Sequence, residues 1–305
     1  MARTRFAPDR GLTNRMLVTM FLIGLLYVVF VGALIVLLKG AWPIVVIVAG
    51  ALFIAQFWFS DKIAAFSMGA HEVTPEEFPE LHGAVDRLCA LADMRKPRVA
   101  VAQSDVPNAF ATGRNDKNAV VCVTTGLLRR LEPAELEGVL AHELSHVAHK
   151  DVMVMTIAGF LGVLAGVITR VGLQFGMFGG FDRRDSRDDN SGMIMLVVIA
   201  VSAVAYAISF LLTRMLSRYR ELSADRSAAL LTGRPSALAS ALTKVTGQMA
   251  AIPTQDLRRA QPFNAFYFAP ALKPSEAMSN AFSTHPTLEK RLEQLGRITA
   301  ELGRS

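Results

Sequence analysis

His142-Glu143-Leu144-Ser145-His146 is the stretch that decides how the rest of the chain is read. On a helix, residues four apart share a face, so the imidazoles of His142 and His146 can reach one metal ion. Glu143 projects beside that face, where a carboxylate can take a proton from a metal-bound water. Zinc lowers the pKa of such a water from about 16 to near 7, which makes hydroxide available at neutral pH. The flanking residues favour a helix from Glu132 to Lys150. Pro133 suits its first turn, and Glu135 and Glu137 lie near the positive end of its dipole. Leu136, Val139, Leu140, Leu144 and Val147 recur at helical spacing. The alternative, a surface helix with two solvated histidines, does not need that apolar stripe.

Working outward, the chain is more apolar than an ordinary soluble enzyme of its size. Of its 305 residues 52% are hydrophobic, and the mean hydropathy is +0.35. The excess is local. Met16 to Leu38 is almost purely apolar and long enough to cross a bilayer. A second run covers Pro43 to Phe59, with Trp42 and Trp58 placed as interfacial anchors. A third extends from Val152 to about Phe178 and a fourth from Met193 to about Leu212. The last two are the weaker spans: Arg170 and Gln174 interrupt the third, and buried core helices would read the same way. Residues 1–15 are too arginine-rich to suit a cleaved signal peptide, so the first span is expected to be an anchor.

Orientation follows from charge. Arg3, Arg5, Arg10 and Arg15 precede the first span and place the N-terminus in the cytoplasm. Two spans then return the chain to that side before Asp61. The loop Gly179–Gly192 mixes four aspartates with three arginines and is tolerable outside, and Arg214, Arg218 and Arg220 follow the fourth span. The net charge of +6 and pI near 9.6 reflect these flanks and suit anionic lipid headgroups better than nucleic acid. Cys89 and Cys122 form no Cys-x-x-Cys pair and read as buried thiols in a reducing compartment.

The expected organisation is therefore a pair of membrane helices over 1–60, the first part of a cytoplasmic metalloprotease domain over 61–151, a membrane hairpin over 152–212 with outer loop 179–192, and the second part of the domain over 213–305. Thr74-Pro75-Glu76-Glu77 predicts a capped helix running to about Ala92. Arg98–Ala102 and Ala119–Thr124 read as strands. Further helices are expected over Ser236–Met249 and Pro286–Leu302, separated by a proline- and phenylalanine-rich loop through Pro274. His71 and His82 read as surface residues, and His149 as a partly buried polar residue one turn too far along to share the metal.

Catalytic zinc usually has three protein ligands plus water, so one is missing from the pair. A histidine six residues beyond His146 would define one class, but Val152 stands there. The other common ligand is a glutamate on a separate helix. Arg220-Glu221-Leu222-Ser223-Ala224-Asp225 places Glu221 and Asp225 four apart on one face, where Glu221 can bind zinc and Asp225 can orient a ligand histidine.

At this point the chain resembles the HtpX-type membrane zinc metalloproteases, relatives of the CAAX prenyl endopeptidases. The resemblance covers nearly the whole sequence. It rests on the paired N-terminal spans, Asn108-Ala109-Phe110-Ala111-Thr112-Gly113, the 142–146 motif followed by Asp151, the Arg-Glu-x-x-x-Asp segment at 220–225, and His285-Pro286 with Arg291. Leu222 stands where an aromatic is common and Leu292 where isoleucine is. The resemblance implies a mainly α fold with a small β-sheet: a zincin-like (gluzincin) catalytic domain joined to about four transmembrane helices. It implies one Zn2+ per chain on His142, His146 and Glu221, with Glu143 as the base. It also implies a substrate cleft bordered by Asn108, Ala109 and Phe110, and proteolytic quality control of misfolded or damaged membrane proteins under stress. His285 either hydrogen-bonds the tetrahedral intermediate or caps the final helix and pairs with a carboxylate. A substrate peptide is expected to lie extended beside Ala119–Thr124.

Expected partners are unfolded or membrane-protein polypeptides and the lipid bilayer, with self-association or other membrane proteases completing the set. Two rival functions share parts of this pattern. A zinc-binding scaffold without chemistry would usually close its site with four protein ligands. A prenyl-protein CAAX endopeptidase would use the same chemistry on another substrate, within a larger membrane chamber than these spans can build.

Overall fold

The computed structural model describes residues 9–38, 42–67, 69–113, 115–175, 191–249 and 283–304. Arg3 and Arg5, most of the expected outer loop and the proline- and phenylalanine-rich loop lie outside them. The chain divides into two compact units. One gathers residues 58–153 and 217–305 with the few residues up to 16, and the other gathers 17–57 and 154–216.

The second unit is helical. It takes residues from α1 (Arg10–Leu38), α2 (Trp42–Ser67), α6 (Asp151–Phe175) and α7 (Ser191–Thr232). Phe30 and Leu34 of α1 pack with Phe160, Leu161, Leu164 and Ala165 of α6 and with Val198 and Ala205 of α7. Phe53 of α2 meets Phe160 edge-on, at 5.0 Å between ring centroids. Gly162 and Gly166 let α6 approach α7: a β-carbon on either would stand 3.3 Å from Ser209 or Tyr206. The remaining surface of these helices is apolar and open. Phe21, Val28, Val36, Ile157, Leu173, Leu196 and Val204 are all exposed, a pattern that suits lipid rather than water.

Three described helices are long and apolar enough to cross a membrane: Arg10–Leu38, Asp151–Gln174 and Gly192–Thr232. The stretch Val46–Trp58 is apolar but shorter. α2 itself runs for 26 residues, Trp42–Ser67, so the second segment is no shorter than the 25-residue α6. The buried-core alternative for the last two does not fit, since only 33% and 28% of their apolar windows are buried. α7 does not stop at the end of its apolar run. It continues as one 42-residue helix through Glu221 and Asp225, with no proline to break it.

The first unit holds the sheet. β1 (Ala70–Glu72), β2 (Arg98–Ala102), β3 (Ala109–Thr112) and β4 (Val120–Thr124) are ordered β1-β2-β4-β3. The β2/β4 pair is parallel, and β1/β2 and β3/β4 are antiparallel. α3 (Pro79–Ala92) and α5 (Pro133–Ala148) pack together, α5 lies against β3 and β4, and α8 (Pro235–Met249) lies between α5 and α9 (Leu288–Leu302). The period-2 alternation of the strands separates two faces. Val99, Val101, Ala109, Val121 and Val123 join Val139, Leu140 and Leu144 in the main core. Ala100, Ala102, Phe110, Val120 and Cys122 form a second, smaller cluster.

Three expectations are corrected here, and one strand is added. The helix expected from Thr74 begins at Pro79: Thr74–Glu77 closes only a turn, in which the Glu77 carboxylate accepts from Thr74 N–H at 2.8 Å. Pro79 accounts for the shift, because an internal proline would lose a helical hydrogen bond, whereas at N1 it costs none. The final helix likewise begins at Leu288, capped by Thr287 rather than His285. The segment 107–113 contains a strand, β3, which pairs in register with β4 (Phe110 opposite Cys122). Finally, β4 lies inside the sheet, paired on both sides, so it offers no edge to a substrate.

Candidate metal centre and cleft

α5 is fastened before it presents its histidines. Glu135 reaches back to the N–H of Glu132 at 2.9 Å, and its buried carboxylate accepts from Ser240 at 2.6 Å and Lys244 at 2.8 Å on α8. Burial alone would raise the Glu135 pKa, but these donors outweigh it and hold the carboxyl below the usual range. Gly138 lets the two helices approach, since a β-carbon there would stand 3.3 Å from the Leu238 backbone.

One turn further on, His142 and His146 lie with ring centroids 4.8 Å apart and planes at 86°. Their Nε2 atoms converge to 3.2 Å. Glu221 arrives from α7, with Oε2 3.6 Å from His142 Nε2 and Oε1 3.5 Å from His146 Nε2. Tetrahedral zinc with bonds of about 2.0–2.2 Å sets donors roughly 3.3–3.6 Å apart, and the trio suits one ion with either oxygen of Glu221 turned to it, since each histidine is met by a different oxygen. Among the described residues, this is the group of histidine, cysteine and acidic side chains that could hold a metal ion. Glu221 is buried, and its carboxylate faces both imidazoles.

The far nitrogens of both rings meet carboxylates. His142 Nδ1 is 2.9 Å from Asp225 Oδ1, and His146 Nδ1 is 2.7 Å from Asp151 Oδ2. A carboxylate only accepts, so each ring carries its proton on Nδ1 and turns the Nε2 lone pair toward the centre. Asp225 is itself gripped by Arg291 of α9, through Nε to Oδ2 at 2.7 Å and Nη2 to Oδ1 at 2.6 Å. Burial opposes the charge on Glu221, but His285, His142 and His146 outweigh it and hold the carboxyl well below the usual range. His285 is buried with Nδ1 3.0 Å from Glu221 Oε2, so the carboxylate pairing expected of it is present while the helix cap is not.

Glu143 is buried beside the trio, and its carboxylate takes a backbone hydrogen bond at Ala111 on β3. Burial pushes its pKa up, and the neighbouring histidines offset part of the rise. A carboxylate with a raised pKa is a better proton acceptor near neutral pH. A small cleft of about 10 Å³ opens beside His146, lined by Ala111, Thr112 and Gly113 from the end of β3, by Asn115 and Asp116, and by Val147, Lys150 and Val152.

The expected cleft residues are redistributed. Asn108 is fully buried, with its backbone N–H donating to Thr124 Oγ1 at 2.9 Å. Ala109 belongs to the main core, and Phe110 points into the second cluster with Cys122. The next three residues, Ala111, Thr112 and Gly113, line the pocket beside His146. His82 is buried, not superficial, with Nε2 3.0 Å from Val73 O, while His71 is exposed as expected. His149 is half-buried, and burial together with Arg220 pushes its pKa down to about 4. Both cysteines are buried free thiols, with burial pushing Cys89 up to about 11 and Cys122 up to about 12. The sequence reading gave Asp151, Arg220 and Arg291 no role in the site. The only signal was their place in the quoted motifs, since 149 residues separate His142 from Arg291.

Fold and site together define a metallopeptidase attached to membrane helices. The profile of Peptidase family M48 matches residues 75–299, and the chain belongs to that family. It is 65% identical over 301 residues to Protease HtpX homolog 1 of Streptomyces coelicolor, covering 99% of this chain and 97% of that protein. It is 51% identical to the Protease HtpX homolog of Moorella thermoacetica, over 98% of each chain. It is 49% identical to Protease HtpX homolog 2 of Methanosarcina mazei, over 98% of this chain and 99% of that one. The resemblance read from the motifs is thereby borne out. Among solved structures, S. mikatae Ste24p shares the fold with a TM-score of 0.51 at 18% identity; the match covers 89% of this chain but spans only 62% of that one.

Proposed function

We propose that the chain is a multi-pass membrane zinc endopeptidase that hydrolyses peptide bonds of misfolded or damaged membrane proteins on the cytoplasmic side, as part of a stress response. The observation that carries the hydrolytic reading is the convergence of His142, His146 and Glu221 within 4.8 Å, with the buried carboxylate of Glu143 beside them. Among the described residues the group holds three ligands, the number usual for a catalytic zinc, and that count favours the enzyme over the scaffold.

Zinc held by these three side chains would supply Lewis acidity to a water and to the scissile carbonyl. Glu143 takes the proton of the attacking water and delivers it to the leaving amine. Asp225 and Asp151 keep His142 and His146 in one tautomer and orientation. His285, whose Nδ1 is 3.0 Å from Glu221 Oε2, would donate to charge that develops on the carbonyl oxygen. An extended peptide would align with β3, the end strand on the side of Glu143, and not with β4. Backbone recognition of this kind suits substrates chosen for being unfolded.

Support for the orientation comes from Arg10 and Arg15, which precede the apolar run of α1, and from Arg214, Arg218 and Arg220 beyond the apolar part of α7. The test is cleavage of unfolded casein by detergent-purified protein, beside Glu143→Gln, with and without a zinc chelator. Activity abolished by both treatments supports the proposal. Activity that survives either one refutes it. Inhibition by a prenylated peptide but not by casein fragments would redirect the reading to a prenyl-protein substrate.

A further inference from the structure

α5 ends at Ala148 and α6 begins at Asp151, so only His149 and Lys150 separate the two helices. Lys150 adopts φ 56°, a left-handed conformation that a residue with a β-carbon rarely occupies. Without that break, Asp151 would lie five residues along a continuous helix from His146. At about 100° per residue it would point roughly 140° away from the imidazole. The turn instead swings Asp151 back until its Oδ2 is 2.7 Å from His146 Nδ1.

Arg220 spans this break from α7. Its Nη2 donates to the carbonyl of His149 at 3.1 Å, and the same guanidinium pairs with Asp151 Oδ1. Both partners of the ion pair are largely shielded from solvent, so water does little to weaken it. Arg220 also immediately precedes Glu221 in the chain. The arrangement repeats, with different residues, what Arg291 and Asp225 do behind His142.

We propose that Arg220 is a positioning residue of the metal centre: by holding the His149 carbonyl and Asp151 together across the Lys150 turn, it keeps the Asp151 carboxylate on His146 Nδ1. The inference rests on the reading of His146 as a metal ligand. Both contacts are made by Nη2 of a planar, always charged guanidinium, which holds the carbonyl and the carboxylate at once. A lysine ammonium supplies the charge as a compact, strongly hydrated point on a flexible stem.

The test is zinc affinity, measured by competition with a chromogenic chelator on the full-length, detergent-purified chain. The variants are Asp151→Asn, Arg220→Lys and their combination, with His142→Ala as the control. Far-UV circular dichroism of each metal-free sample checks that it is folded. Loss of an outer partner of a ligand histidine weakens metal binding about 10- to 100-fold. Asp151→Asn is expected within that range and Arg220→Lys near its lower end. Because Arg220 acts through Asp151, the double variant should be no weaker than Asp151→Asn alone. Undiminished affinity in Arg220→Lys, or losses that multiply in the double variant, would overturn the proposal, because a merely structural arginine gives independent losses. Undiminished affinity in His142→Ala would instead overturn the ligand set and this inference with it.

Discussion

Arg291 on the last helix holds Asp225 on α7 in a two-pronged pair, with 2% and 0% of the two residues exposed. The pair ties the final helix to the carboxylate behind His142, so one contact serves both folding and the site. Breaking a buried pair by removing one partner leaves the other charge uncompensated, at a cost of about 3–5 kcal/mol. Asp225→Ala and Arg291→Ala should each lose about this much in denaturant unfolding. The double variant should lose clearly less than the sum of the two. Additive losses would show that the two side chains stabilise the protein independently.

Glu143 and Glu221 are both buried carboxylates of the site, yet their deletion should separate binding from chemistry. Glu143→Gln is expected to keep one zinc per chain by elemental analysis and to lose about 10²- to 10⁴-fold in turnover, the usual worth of a positioned base. Glu221→Ala should purify without zinc. Full metal occupancy in Glu221→Ala would remove it from the ligand set.

The Glu135 cluster makes an acid-dependent contribution to stability. Its folded pKa lies below the usual value because Lys244 and Ser240 outweigh burial. A depressed carboxyl stabilises the fold fully above its unfolded pKa of about 4.3 and loses that effect as pH falls through the folded value. Glu135→Gln should therefore lower the unfolding temperature at pH 7, and the gap from wild type should narrow below about pH 4.5. A gap independent of pH would mean that packing, not charge, is what the glutamate provides.

Gly113 closes β3 at φ 130°, and a β-carbon there would stand 2.6 Å from Ala119 Cα and from Asn118 O. Those neighbours are backbone and cannot swing aside. Gly113→Ala should cost about 1–3 kcal/mol from strain and overpacking. Because the residue also lines the cleft beside His146, the variant should raise KM for an unfolded substrate more than it lowers kcat. Unchanged KM would separate this end of β3 from substrate binding.

Much of the site was legible because its parts are local. Two histidines four apart need only a helix to meet, and Pro133 with the apolar stripe from Leu136 to Val147 announces that helix. Glu221 and Asp225 obey the same periodicity on α7. β3 was harder to read, since Asn108-Ala109-Phe110 carries a proline before it and a glycine after it, and four residues are too few for alternation to speak. Which strand forms the edge depends on pairing order, which local pattern does not encode.

By itself, then, the sequence determined the chemistry available: imidazoles and carboxylates at helical spacing, apolar runs of bilayer length, and the basic flanks beside them. Only the tertiary structure decided which groups meet. It placed Glu221 within 3.6 Å of both histidines, set Asp225–Arg291 and Asp151–Arg220 behind them, and put β3 rather than β4 at the end of the sheet. The physical reason is range. Helical periodicity and hydrophobicity act over a few residues and are written in the local pattern. Ion pairs and strand order join residues far apart in the chain, and only the packed core brings those residues within reach.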